Sequence, residues 1–189
     1  MFAYCGNNPV IRYDPTGHNW WNTLWEDIRD WLEEKKEEAE NNEDGTVAFG
    51  STGTVSAVLA FSRATGITFD RKGNVGVIVT NSSGAGMPSA SIAVYGSVTN
   101  APDIYKQEGS GVTLGTSAGA EFVSAGYDYS VLFDDISNKE YNGHTLSVGV
   151  GVSSPCVEMH ILKDNSYVRG VNLYDIGIAF AGWMVQLGG

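Results

Sequence analysis

This sequence predicts a mainly β fold: a glycine-rich antiparallel meander, barrel or sandwich of about eight strands, preceded by one amphipathic helix. Three observations predict it. The spacing of apolar residues switches from helical steps to strict alternation at about Gly45. Each alternating run beyond that point is bounded by turn residues, with no helical stretch between runs, which excludes a parallel βαβ sheet. All of the 24 glycines except Gly6 and Gly17 lie from Gly45 onward, without a Gly-X-Y period, as tight turns and close strand contacts require.

Three segments follow: 1–18, 19–44 and 45–189. In the first, Asn7-Asn8-Pro9 and Asp14-Pro15-Thr16-Gly17 are turn signals around the short apolar stretch Val10–Tyr13. In the second, Trp21, Leu24, Trp25, Ile28, Trp31 and Leu32 recur at three- and four-residue steps with acidic residues on the other face, an amphipathic helix. Its stripe of Trp21, Trp25 and Trp31 needs a partner surface, expected to be the β domain. The polar run from Glu33 to Asp44 reads as a fraying end and linker.

From Gly45 the expected strands carry Val55, Ala57, Leu59 and Phe61; then, after the hairpin Asp70–Gly73, Val75, Val77 and Val79. Asn81 to Pro88 reads as a loop, followed by a strand with Ala90, Ile92, Val94 and Val98. Beyond the polar loop Asn100–Gly111 come Val112 to Phe122, then Tyr127, Tyr129, Val131 and Phe133. Asp134–Gly143 reads as a hairpin into Leu146, Val148, Val150 and Val152. Val157, Met159 and Ile161 make the last clear strand, and Lys163-Asp164-Asn165-Ser166 is expected to turn the chain. The apolar tail from Val171 stays open between helix and strand from about Asp175.

One face of these strands is branched-aliphatic and aromatic; the other is Gly, Ala, Ser and Thr. Such alternation fits a soluble β domain or a transmembrane barrel. The soluble form is the expectation, with Ile92, Val94, Val148 and Val150 facing the core and a membrane as the less favoured partner.

The net charge of −11 is uneven, with −7 of it between Glu26 and Asp44. An acidic chain lacks the electrostatic footprint of nucleic-acid binding, so no nucleic-acid partner is expected. Cys5 and Cys156 match neither a metal site nor a redox pair. No cofactor is implied. Residues 1–11 have no signal-peptide pattern, so export would be directed by something outside this stretch.

The segment FAYCGNNPVIRYDPTG resembles the end of the RHS-repeat-associated core, where a tyrosine-rich strand runs into an NNPVxxxDPxG motif. The match covers about a tenth of the chain. It implies a boundary between a large β cocoon, absent from this chain, and a variable C-terminal domain, often a toxin used between competing bacteria. It also implies a secreted or cell-surface location within a larger protein and, for a toxin, a cognate immunity protein. That family is thought to cut itself just after the motif with aspartates from two DPxG-type segments. Asp14, Pro15 and Gly17 match the later one. The earlier segment is missing and His18 replaces the usual leucine, so self-cleavage is not expected. Asp14 also serves as the first residue of a type I turn without any catalysis.

Among candidate chemical groups, Glu158 and His160 alternate in VEMHIL and so share a strand face, the spacing of an acid/base pair or part of a metal site, or simply of a solvated sheet face. His144 reads as a turn residue. Asp134-Asp135 with Glu140 lacks calcium-loop spacing, and Gly149-Val150-Gly151 precedes no helix, so it is no phosphate cradle. Three functional readings result: an RHS-associated effector whose β domain acts on a target cell, with the cell membrane as one option; a non-enzymatic binding or display domain; and a hydrolytic toxin using Glu158 and His160. The balance is against an enzyme.

Overall fold

The computed structural model describes residues 20–41, 44–120, 122–134, 140–153 and 158–188. It divides into two compact units, one helical (up to Glu38 and from Tyr174) and one β (Ala39–Leu173).

The helical unit pairs α1 (Trp20–Glu40) with α2 (Leu173–Gly188). Trp21 Nε1 donates to the Met184 carbonyl at 3.3 Å, and the Trp25 ring meets Phe180 edge-on with centroids 5.7 Å apart. Further along, Leu32 lies against Gly177, and Lys36 Nζ is 2.6 Å from Asp175 Oδ1. Residues ascending in α1 meet residues descending in α2, so the helices are antiparallel. Two expectations are corrected. The β segment does not run to residue 189, because its last sixteen residues before Gly189 are helical. Trp21 and Trp25 find their surface on α2, while Trp31 stays exposed. Trp25→Ala should therefore loosen the helix pair by about 1 kcal/mol, less than the ~1.5–3 of a fully buried side chain because the ring is half-buried. Loss of the near-ultraviolet tryptophan dichroism together with faster proteolysis of α2 checks this.

The β unit is a closed barrel of β1 (Thr46–Ser56), β2 (Leu59–Asp70), β3 (Asn74–Gly86), β4 (Ser89–Thr99), β5 (Gly109–Ala120), β6 (Val123–Asp134), β7 (Glu140–Ser153) and β8 (Glu158–Asn172). Neighbours follow the order β1-β2-β3-β8-β5-β6-β7-β4, and every pair is antiparallel. Closure leaves no free sheet edge. The β2–β3 hairpin is built as its sequence suggests: Asp70 Oδ1 accepts from the Lys72 and Asn74 amides at 2.8 and 2.9 Å, and Gly73 takes φ +81°. Between β4 and β5 a short 3-10 turn, η1 (Ile104–Gln107), packs against the barrel. Ile104 is fully buried with Ala48, Ile78 and Val168, and Gln107 Nε2 donates to the Thr46 and Thr68 hydroxyls inside.

Several expected boundaries move. One predicted strand is two: the chain reverses at Ala57–Val58 between β1 and β2. The expected loop from Asn81 is strand as far as Gly86, and Lys163–Ser166 runs straight through β8. His144 lies inside β7 rather than at a turn.

The largest correction concerns direction. Ile92, Val94, Val148 and Val150 do not face a core; they are 69, 67, 57 and 62 % exposed. The alternate positions point inward, and they are Ser, Thr, Gly, Ala and a few larger groups. The physical reason is width. Eight strands enclose an interior only just wide enough for side chains, and small residues fit it while a full complement of Val, Leu and Phe does not.

Candidate functional site

Two surfaces of the barrel carry chemistry: its outer wall and its lumen. On the wall, strand alternation places Phe49 and Val55 of β1, Ile92 and Val94 of β4, and Leu146 and Val148 of β7 outward, all exposed. Register brings them side by side: Val94 pairs with Val148, and Ile92 with Val150, which pairs in turn with Val123. Monomeric soluble proteins rarely present contiguous apolar patches beyond a few hundred Å², and larger ones mark interaction sites. His144 belongs to this wall, its Nδ1 2.7 Å from the Tyr127 hydroxyl and its ring against Tyr129.

The lumen holds a cavity of ≈ 130 Å³ whose lining includes Thr80, Ser82, Tyr95, Ser130 and the carboxylates Asp128 and Asp164. Asp164, 5 % exposed, accepts from Thr113 Oγ1 at 2.5 Å, and Thr113 meets Ser130 at 2.6 Å. Burial raises the Asp164 pKa; hydrogen bonds from Ser82 and Thr113 oppose that shift. Next to it, His160 Nε2 lies 3.1 Å from Asp128 Oδ1. The distance is that of an ion pair, but among the described residues that buried oxygen accepts no hydrogen bond. Gly115 sits between the two strands, opposite both Asp128 and His160. A Cβ there would fall 2.0 Å from each side chain. Glycine is what lets them meet.

The predicted pair is thus half reassigned. His160 faces Asp128 across Gly115; Glu158 lies two residues before it on β8, with its side chain outside the described residues. Asp14, Pro15, Gly17, His18, Cys5 and Cys156 also lie outside the described residues. Asp128 was readable: in GYDYS it alternates with Tyr127 and Tyr129 and must take the face opposite them. Asp164 was hidden by its turn-like neighbours. Among the described residues no group of three or more His, Cys, Asp or Glu is placed to hold a metal, and no helix is long and apolar enough to cross a membrane.

The raised Asp164 pKa makes a testable prediction. The folded state holds this proton at pH values where the unfolded chain has already released it. Stability should therefore fall as pH rises out of the ordinary carboxylate range through the folded pKa. Asp164→Asn, which keeps an acceptor for Thr113, should unfold at higher urea than the wild type at neutral pH, with the gap closing in acid. A lower midpoint at neutral pH would contradict this.

No family model matches the chain, and no curated protein matches it. Among solved structures it is similar to virulence-associated protein VapB from the intracellular pathogen Rhodococcus equi, at 14 % identity and a TM-score of 0.32 over 67 % of this chain and 98 % of that one. A likeness that distant carries no argument about activity.

Proposed function

We propose that this chain is a membrane-acting effector module, carried at the C-terminal end of an RHS-family protein and used in bacterial competition, with the barrel wall as its working surface. One observation carries the reading: the aliphatic face of the strands points outward. Immersing five such side chains among acyl chains contributes about 1.5–3 kcal/mol each. That sum is comparable with the estimated 4–15 kcal/mol cost of immobilising a protein on a partner. The NNPVxxxDPxG resemblance supports the context, with a cognate immunity protein as the expected partner. Nothing in the reading needs conduction through the lumen, where Ile104 and Gln107 of η1 pack among barrel residues. Leakage would come from the wall disturbing lipid.

Dye release from phosphatidylcholine vesicles tests the activity, and expression inside a bacterium with and without the adjacent open reading frame tests the context. Release together with toxicity relieved by the neighbour is the expected result. Capture of a ligand with neither release nor toxicity would replace it with the display reading. The hydrolytic alternative retains one supporting observation, the His160–Asp128 pair. An Asp128→Asn, His160→Ala double variant is expected to keep full dye release; its loss in a folded protein would move the mechanism to the lumen.

A further inference from the structure

The wall is apolar but not uniformly uncharged, and the distinction follows strand order. Leaving aside the first and last residue of each strand, the outward positions of β1, β4, β5, β6 and β7 hold no Asp, Glu, Lys or Arg. These five strands are contiguous around the barrel, in the order β5-β6-β7-β4-β1. The remaining three, β2, β3 and β8, are also contiguous; β2 and β8 carry Arg63, Lys163 and Arg169 outward, and β3 between them has no outward charge but carries Asn81 and Ser83. Polar residues accompany the cations: Arg63 pairs in register with Asn81, Asn81 with Asn165, and Lys163 with Ser83. Asn165 Nδ2 donates to the Tyr167 hydroxyl at 2.9 Å along the same wall. Arg63 and Lys163 sit well inside their strands, several residues from either end.

A barrel that spans a bilayer presents its whole circumference to lipid, and a cation facing acyl chains near mid-span is among the costliest residues there. A barrel lying on its side presents only part of its wall. We propose that this barrel enters the bilayer from one side, with the β5-β6-β7-β4-β1 wall against acyl chains and the β2-β3-β8 wall turned to water. The inference rests on the membrane-acting reading and adds the surface and the mode: one leaflet is engaged from the side, and the molecule does not cross. The occupant is the acyl region of a lipid bilayer, because the five-strand wall is uncharged across its whole width, whereas a polar protein partner would call for complementary charges.

The test uses the whole chain with Cys5 and Cys156 changed to Ser and one new cysteine at a time: Ile92→Cys, Val148→Cys, Asn81→Cys or Asn165→Cys. Each is labelled with an environment-sensitive nitrobenzoxadiazole fluorophore and mixed with phosphatidylcholine vesicles. Labels at 92 and 148 should shift to the blue with a several-fold rise in intensity; labels at 81 and 165 should keep their aqueous spectrum. A shift at all four positions would overturn side-on entry in favour of spanning, leaving the membrane reading intact. Blue emission at 92 and 148 before vesicles are added would show that another part of the chain or a second copy already covers the wall, and would sink the proposal. If dye is released without any of these shifts, a different surface acts. If the protein neither binds nor permeabilises vesicles, the underlying reading fails along with the inference.

Discussion

Val148→Lys should leave the barrel folded in plain buffer and abolish dye release from vesicles. Val148 stands outward on β7, between Val94 of β4 and Ala125 of β6, and more than half of it meets solvent. An ammonium at that position stays hydrated, so the stability change should fall within the roughly ±0.5 kcal/mol of ordinary surface substitutions. Against lipid the same group costs about 2–4 kcal/mol if it sits near the bilayer midplane. That is between about thirty- and a thousand-fold in vesicle affinity by the usual conversion. Asn165→Lys adds the same charge to the polar wall of β8 and should release dye like the wild type. Circular dichroism and urea unfolding check the fold, and dye release checks the function. Unfolding of Val148→Lys in buffer would mean that the valine is buried in solution, and the outward orientation would then be wrong.

Most of the strands were legible because alternation and turn residues are local signals, and local signals survive either orientation of the sheet faces. Which face points outward was not legible in that pattern, since turning a barrel inside out preserves every period. The missed cue lies in side-chain size. Thr52, Ser62, Ser97 and Ser147 are too small and too weakly charged for a typical solvated face, but they suit a narrow lumen. Choosing the soluble orientation produced the other misplacements. With polar residues assumed to face water, Asn81–Ser83 and Lys163–Ser166 looked like turns; in this barrel Ser82, Asp164 and Ser166 are lumen residues and their odd-numbered neighbours belong to the polar wall. The reversal at Ala57–Val58 lacks Gly, Asn, Asp and Pro, so nothing announced it. The second helix did leave a signal: Ile176, Phe180, Trp183 and Leu187 recur at helical steps, obscured by Gly177 and Gly182. Of the site, His160 was found from its strand face, whereas its contact with Asp128 depends on two different strands meeting across Gly115, a relation no local pattern contains.

Gly84→Ala should be the most damaging single methyl in the barrel, costing about 3 kcal/mol or preventing folding. Gly84 faces inward on β3 opposite Leu162 of β8, and a Cβ built there would lie 1.9 Å from the Ile161 carbonyl oxygen and 2.9 Å from the Leu162 Cα. Both obstacles are backbone, so no rotamer change relieves them, and β8 itself must move. Overpacking a close-packed site costs typically 1–3 kcal/mol and sometimes more, out of the 5–15 kcal/mol that separates most folded domains from unfolded chains. The position aggravates the effect, because the β3–β8 pair joins the β1-β2-β3 side of the barrel to the β5-β6-β7 side. Gly53→Ala on β1 supplies the contrast. No atom lies within 4 Å of a Cβ there, and Gly53 is not among the positive-φ glycines. It should be neutral or stabilising by about 0.4–1 kcal/mol, through the smaller entropy of the unfolded chain. Urea midpoints of the two variants decide the matter: if Gly84→Ala unfolds where the wild type does, β3 and β8 do not approach as closely as barrel closure requires, and the narrow, small-residue lumen that forces the aliphatic face outward loses its physical cause.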